Sequence, residues 1–374
     1  MNRSLAALLG SICVIAALCC GCDSTSENLY RSDNQQETCV ETEPTETMPV
    51  TGWVEVENGS SYLLSDGTMA TGWLELEEGR YYLGLDGIVC KGILELDDQL
   101  WLLDSQGILS SGWVKLDGKW YYGDQDGHPV QGWLELDGVR YYMDENCSMH
   151  TGWLSLDGFT YYFNEDGSPA QGQMDIDGQT CYFAFNGQQI ILTNPWNSVP
   201  EDYTVNLVSL DYGHQVADIA YDDLQEMFDA CRAAGYAPAI CSSYRTVEYQ
   251  SGLFRKKMNY YLEQGYDKSS AYTKAATMVA VPGTSEHHLG LALDIVHNSN
   301  WNLDESQART PTQKWLIANS WQYGWILRYP EGTQASTGIV YEPWHYRYVG
   351  KEVAADIYNS GLCLEDYLAM LTTQ

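Results

Sequence analysis

The sequence predicts a multidomain protein, an N-terminal all-β solenoid of 20-residue hairpin repeats followed by an α+β domain. Three observations carry that expectation. Gly-Trp recurs at a fixed period of 20 residues, strand alternation gives way to mixed helix and strand periodicity after Asn194-Pro195-Trp196, and the spaced His, Asp and Glu motifs fall in the last third of the chain. At 374 residues the chain exceeds one ordinary domain, so at least two folded units are expected.

The repeats begin at Gly52-Trp53, Gly72-Trp73, Gly112-Trp113, Gly132-Trp133 and Gly152-Trp153, with degenerate starts at Gly92-Ile93 and Gly172-Gln173. Within each copy an alternating run, such as Trp113 to Tyr122, places an Asp-Gly-type turn between two short strands, which is a hairpin signal. A lone hairpin cannot bury a face, so the seven copies must stack, and a domain over 50–193 follows. Trp120 precedes a Tyr pair in one copy, whereas Arg80, Arg140 and Thr160 stand there in others. Exposed rings in such number mark a binding surface. The candidates are Trp53, Trp73, Trp113, Trp120, Trp133, Trp153, Tyr122, Tyr142 and Tyr162. Packing of repeat on repeat is the alternative role for each ring.

Ahead of the repeats, Leu5 to Leu18 is an almost unbroken apolar run behind Arg3, the pattern of a secretory segment. Cys22 after Gly21 is the expected lipidation site of a lipoprotein-type signal over 1–22, and an uncleaved membrane anchor is the alternative. Residues 23–49 are acidic, Ser/Thr-rich and poor in large apolar side chains, so they read as a flexible linker reaching about 30 Å. Seven cysteines follow Cys22 without a Cys-x-x-Cys pattern and read as structural or free thiols.

After the repeats the pattern predicts a strand around Val205 to Leu210, a helix from Tyr221 to Ala234, a strand over Ala237 to Ser242 and a helix over Val247 to Leu262. Helices near Thr312 to Tyr323 and Gly350 to Asn359 complete an α+β domain over 200–370.

Hydrolytic zinc sites use three protein ligands and keep a position open for water. His287 and Asp294 would lie about 23 Å apart in a straight strand, so they share an ion only if the chain reverses. Gly290 tolerates such a reversal, and the apolar strand Leu291 to Val296 would hold Asp294 inside, where a carboxylate needs a cation. In Glu342-Pro343-Trp344-His345 the proline makes a bend that directs both outer side chains into one cleft. His345 then completes the ligands and Glu342 is the general base toward the attacking water. Arg245 is the candidate for the developing oxyanion or a substrate carboxylate. His128, His150, His214 and His297 read as structural; His288 is open, and Arg328 is as consistent with an ion pair as with catalysis.

Two resemblances follow. The pattern Gly-Trp…Trp-Tyr-Tyr…Asp-x-x-Gly over 52 to about 191 is similar to choline-binding and glucan-binding repeats of Gram-positive surface proteins. It implies aromatic cages for a quaternary ammonium and attachment to a wall polymer, a choline-bearing teichoic acid or a glucan. Ser-x-His-x-x-Gly-x-Ala-x-Asp at 285–294, Glu-Pro-Trp-His at 342–345, Ser-Tyr-Arg at 243–245 and Tyr323 to Pro330 together resemble the VanY-type D-alanyl-D-alanine carboxypeptidases. That resemblance implies zinc on His287, Asp294 and His345, base Glu342, Arg245 near the substrate carbonyl, and Ser285 and Gln250 as further substrate contacts.

The expected activity is removal of the C-terminal D-alanine from peptidoglycan stem peptides. L,D-carboxypeptidase or endopeptidase cleavage, and a catalytically silent wall-binding protein, are the alternatives. The formal net charge of −32 argues against nucleic acid or an anionic membrane surface as partner. The N-terminal segment and the two resemblances together imply export to the outer face of the cytoplasmic membrane and the wall of a Gram-positive-type bacterium, with the membrane reached through a lipid anchor only.

Overall fold

The computed structural model describes residues 51–373, so the apolar segment with Cys22, the linker and Cys39 lie outside the described residues. Seven antiparallel hairpins come first: β1 (Gly52–Val56) with β2 (Gly59–Leu63), β3 (Gly72–Leu76) with β4 (Gly79–Leu83), β5 (Gly92–Leu96) with β6 (Gln99–Leu103), and β7 (Gly112–Leu116) with β8 (Lys119–Gly123). β9 (Gly132–Leu136) with β10 (Val139–Met143), β11 (Gly152–Leu156) with β12 (Phe159–Phe163), and β13 (Gly172–Ile176) with β14 (Gln179–Phe183) complete the set. Asp117 and Gly118 both have positive φ, 48° and 84°, as the tight hairpin turn that matches strand twist requires.

Successive hairpins are tied through the backbone. The N–H groups of Leu109 and Met149 donate to the carbonyls of Arg80 and Trp120 in the preceding copy. Tyr81, Leu83, Val89 and Ala70 illustrate the apolar seam between copies. The stacked hairpins of the expected solenoid are present.

The second part opens with the small pair β15 (Leu207–Ser209) and β16 (Gln215–Ala217), the first shorter than predicted. α1 (Tyr221–Ala233) buries Leu224, Met227, Phe228 and Cys231, spaced at helical period along one face. Burying a Leu or Phe of this kind contributes about 1.5–3 kcal/mol relative to leaving it exposed. β17 (Pro238–Ser242) leads into α2 (Val247–Glu263), whose N-terminus is capped by Thr246 accepting from the Tyr249 N–H.

α3 (Lys268–Ala276), a single 3-10 turn at Glu286–Leu289, β18 (Ala292–His297), α4 (Pro311–Asn319), β19 (Trp325–Leu327), α5 (Gln334–Thr337), β20 (His345–Tyr348), α6 (Lys351–Ser360) and α7 (Leu364–Thr372) follow. The helix expected to run to Tyr323 stops at Asn319 and continues as a 3-10 turn. α3, α5 and α7 were not predicted. The central sheet is antiparallel throughout, in the order β17-β18-β20-β19.

The last repeat is built into the core of the second part. Ala184, Ile190 and Leu192 share one cluster with Ile326, Val349, Val353, Leu364, Tyr367 and Leu371. Gly172 lies against α7 so closely that a Cβ there would sit 2.4 Å from the Thr372 nitrogen, and the Gln173 N–H donates to Thr372 Oγ1 at 2.7 Å. The described residues accordingly cluster as one compact unit.

A candidate metal centre at the floor of a cavity

The 3-10 turn carries His287, and Gly290 then takes φ 71° in the left-handed region. A side chain at Gly290 would meet Leu207 Cδ2 at 2.9 Å and the Ala217 nitrogen at 3.2 Å, so the reversal needs glycine for space as well as for angle. β18 then brings Asp294 back beside His287. β20 runs antiparallel to β18 with His345 directly opposite Asp294, and β17 places Ser242 on its other side. The His345 N–H donates to the Glu342 carbonyl, closing the bend around Pro343.

His287, Asp294 and His345 offer donor atoms that all lie within 4.8 Å of one another. His287 Nε2 is 3.4 Å and His345 Nδ1 3.2 Å from Asp294 Oδ1, which has no hydrogen-bond partner. His287 Nε2 is also buried without a partner, because its Nδ1 is engaged by the Ser243 carbonyl at 2.7 Å. Buried polar atoms left unsatisfied together around one point are costly unless a cation joins them. The donor set of two imidazoles and one carboxylate suits a tetrahedral zinc ion with an open position.

Charge is distributed accordingly. Burial opposes ionisation of Asp294, but His287 and Arg245 override it and hold the carboxyl well below its usual range. Burial, aided by Arg245, lowers His287 to about 4. For His345 burial is outweighed by Asp294 and Glu286, and its pKa rises to about 9. Glu342 Oε2 lies 3.7 Å from His345 Nδ1, and burial with help from Asp294 pushes the Glu342 carboxyl up to about 8.

These groups line a cavity of about 590 Å³, with Arg245, Ser285 and Tyr329 in its wall and Lys256, Lys257 and Tyr260 from α2 along one side. Arg245 donates from Nη2 to Asp294 Oδ2 at 2.6 Å, from Nε to Ser242 Oγ and from Nη1 to Gln250 Oε1. Two of its five N–H groups remain for a ligand.

Gln250, expected as a substrate contact, stands immediately behind Arg245. It is fully buried, absent from the cavity wall, and spends its amide on Arg245 and the Ala280 carbonyl. Its place is behind Arg245, as support.

His288 is a staple, its Nδ1 on the Arg245 carbonyl and its Nε2 accepting from the Gly283 N–H. His214 lies by Ser243 Oγ, His297 by Thr312 Oγ1, His128 by the Leu100 carbonyl and His150 by Asp144. Arg328 forms ion pairs with Glu286 at 2.7 Å and Glu365 at 2.6 Å.

Sequence reasoning passed over Glu286 and the α2 lysines. The first was hidden by its place between Ser285 and His287. The signal for the second was available: Arg255-Lys256-Lys257 is a basic run in a chain with only 19 Lys and Arg.

In the repeats each Gly-Trp indole packs edge-on against a Tyr of its own hairpin, as in Trp113–Tyr122, Trp133–Tyr142 and Trp153–Tyr162. Trp53, Trp113, Trp120 and Trp153 keep exposed area. The next copy supplies another ring in all five cases: Tyr81 on Trp53, Trp101 on Trp73, Tyr141 on Trp113, Tyr161 on Trp133 and Phe183 on Trp153. The third position differs among copies. Trp120 stands 6.3 Å from Trp113 and nearly perpendicular to it, whereas Arg80 and Arg140 lay their guanidiniums 4.1 Å over Trp73 and Trp133.

An antiparallel sheet in an α+β domain, with a buried His–Asp–His cluster beneath a cavity, marks the class as a domain with a candidate mononuclear metal site. Comparison with known proteins gives the family. The family described as VanY, D-alanyl-D-alanine carboxypeptidase, matches residues 213–351, and a putative cell wall binding repeat matches 111–128 and 151–168. A D-alanyl-D-alanine carboxypeptidase of Enterococcus faecalis is 43% identical over 183 residues, 48% of this chain and 65% of that protein. The chain thus spans less than two thirds of that relative's length.

The bifunctional D-Ala-D-Ala dipeptidase and D-Ala-D-Ala carboxypeptidase VanXYC of Enterococcus gallinarum is 37% identical, over 36% of this chain and 70% of that protein. Among solved structures, the vancomycin resistance D,D-pentapeptidase VanY in complex with Zn(II) is 44% identical, with 48% of this chain and 97% of that chain covered at a TM-score of 0.44. The chain belongs to the VanY D-alanyl-D-alanine carboxypeptidase family.

Proposed function

We propose that the chain is a zinc-dependent carboxypeptidase that removes the C-terminal D-alanine from peptidoglycan stem peptides while its repeats hold it at the wall. The observation that carries this reading is the placement of His287, Asp294, His345 and Glu342 on one cavity whose other wall presents Arg245, Lys256 and Lys257. Zinc on the two histidines and the aspartate would polarise a scissile carbonyl and acidify a water at neutral pH.

Glu342, poised near neutral pH at the cavity floor, takes the proton of the attacking water and returns it to the leaving amine. Arg245, fixed by Asp294, Ser242 and Gln250, turns its remaining N–H groups to the oxygen on which negative charge develops. Ser285 contributes a buried hydroxyl to the same wall. The cationic side favours a substrate that ends in a free carboxylate, which supports a carboxypeptidase over an endopeptidase.

For the repeats we infer a quaternary ammonium group on a wall polymer as ligand. Trp120 and Tyr141 both stand edge-on to Trp113, at 6.3 and 5.0 Å, and neighbouring aromatic rings of this kind are what cation–π recognition uses. The N-terminal apolar segment and Cys22 support export with a lipid anchor, which intact mass of the mature protein tests.

Penta-, tetra- and tripeptide muropeptides incubated with the zinc-loaded protein test the reaction. Loss of one alanine from the pentapeptide is expected. Cleavage of the tetrapeptide alone would move the activity to the L,D bond, and release of internal fragments would make it an endopeptidase.

A further inference from the structure

Behind His345 lies a fully buried charge cluster that the proposed chemistry does not use. Glu286 has no exposed side-chain surface and faces two buried arginines, Arg328 and Arg347. A carboxylate present only to neutralise two guanidiniums would share both oxygens between them. Here Arg328 Nε and Arg347 Nη1 both donate to Oε1, at 2.7 and 2.9 Å. Oε2 is left buried with no hydrogen bond. It lies 3.5 Å from His345 Nε2, which is equally buried and without a partner.

The other nitrogen of that ring, Nδ1, is the one beside Asp294 Oδ1 and Glu342 Oε2. One ring therefore has its Nδ1 edge on the metal site and its Nε2 edge on a carboxylate oxygen that nothing else occupies. Metal-bound imidazoles characteristically donate their second N–H to such a group, which fixes tautomer and ring angle. For His287 that role falls to the Ser243 carbonyl at Nδ1, so the two histidines would hold a metal through opposite nitrogens.

We propose that Glu286 is the positioning residue for His345, accepting its Nε2–H through Oε2 so that Nδ1 is presented to the metal. The two arginines hold the carboxylate in place by its other oxygen, and they are themselves anchored at the end of the repeats. Arg328 is bound bidentately by Glu365, which accepts from Asn194 Nδ2 at 3.0 Å, and Arg347 donates to the Ile191 carbonyl at 3.2 Å. The segment that closes the solenoid thus braces the carboxylate behind a ligand.

This inference rests on the reading of His345 as a ligand, and the test separates the two. Full-length protein labelled with 15N-histidine and loaded with zinc is observed by long-range 1H–15N correlation. The expected result is His345 bound through Nδ1 with a slowly exchanging proton on Nε2. A metal shift at Nε2 with the proton on Nδ1 overturns the role of Glu286 and leaves the ligand assignment standing. No metal shift on His345 at all overturns both.

Glu286→Gln gives a second measurement, zinc affinity by competition with a chelator. Removing an outer-sphere carboxylate of this kind weakens binding by about 10–100-fold. Glu365→Gln, which loosens the anchor of Arg328 but leaves Glu286 Oε2 in place, is expected to weaken zinc binding less than Glu286→Gln does. Equal loss in both variants would reduce Glu286 to a structural counter-ion and overturn the proposal. The spectrum of the unsubstituted protein decides the matter if either variant fails to fold.

Discussion

Asp294 and His345 are cross-strand partners, opposite one another on β18 and β20, and this single pairing joins two motifs that lie fifty residues apart in the chain. Side chains directly opposite on one face of an antiparallel pair sit within about 5 Å at Cβ, so sheet register sets the ligand spacing. The same Asp294 holds Arg245 from its second oxygen.

Asp294→Ala is therefore expected to fail twice. Zinc content by elemental analysis should drop to background, and the nearly buried Arg245 should be left without its counter-charge. Removing one partner of a buried ion pair costs about 3–5 kcal/mol, visible in denaturant unfolding of the metal-free protein. Retained zinc would show that the cluster is not the metal site.

Glu342→Gln should separate binding from chemistry. The amide keeps the size of the side chain and removes the base, so zinc content should be unchanged while the rate falls by about 10²–10⁴-fold. Hydrolysis by the variant at the unsubstituted rate would assign the proton transfer to another group.

Zinc uptake should release protons. With a pKa of about 9 in the metal-free site, His345 is protonated at neutral pH, and a ligand imidazole must be neutral. A proton is bound before metal and lost on binding, so affinity rises with pH, about tenfold per unit while one proton is displaced, and levels off above about pH 9. Calorimetry in buffers of different ionisation enthalpy measures the proton count. Uptake without proton release at pH 7 would contradict the charge state assigned to His345.

The aromatic repeats make a quantitative prediction about capacity. Arg140 lies over Trp133 and pairs with Glu352 of α6 at 2.6 Å, so this copy already holds a cation of its own. Among the described residues, Trp113 alone of the Gly-Trp indoles packs against a second tryptophan of its own hairpin, Trp120, together with Tyr141 of the next copy, and Lys115 Nζ lies 5.3 Å from the Trp120 ring centre. Equilibrium titration with choline, followed by tryptophan fluorescence, should reveal one strong site, abolished by Trp113→Ala. Arg140→Trp should add a second. The exposed Arg140–Glu352 pair contributes under about 1 kcal/mol, so the variant should stay folded. Unchanged stoichiometry in Arg140→Trp would mean that the rings serve packing alone.

Much of this architecture was legible in residue order because its signals are local. A 20-residue period with Asp-Gly turns specifies hairpins, and a helix with Leu224, Met227, Phe228 and Cys231 at period 3.6 announces its buried face. The ligand types were legible for the same reason, since Gly290 and Pro343 mark the two bends that bring neighbours together. The pairing of β18 with β20 was not, because register between distant strands is decided by tertiary packing.

Glu286 was missed because its significance lies in which oxygen the arginines use, a fact of three-dimensional geometry. The bond from Arg245 to Gln250 was unreadable for a related cause: sequence proximity to Arg245 does not say whether a side chain faces the cavity or backs the one that does. α7 was unread although Leu364, Tyr367, Leu368 and Leu371 form an amphipathic stripe, because its partner surface is the last repeat.

The central claim is that the cavity hydrolyses the last peptide bond of a stem peptide by grasping its terminal carboxylate. The most direct measurement is the rate of D-alanine release from an acylated peptide ending in D-alanyl-D-alanine, set against the rate for the same peptide carrying a C-terminal amide. The account predicts release of a single D-alanine from the free acid, dependent on zinc and on Glu342, and loss of about 1.5–3 kcal/mol of transition-state binding for the amide, the worth of a hydrogen bond to a charged group. Equal cleavage of acid and amide would contradict it.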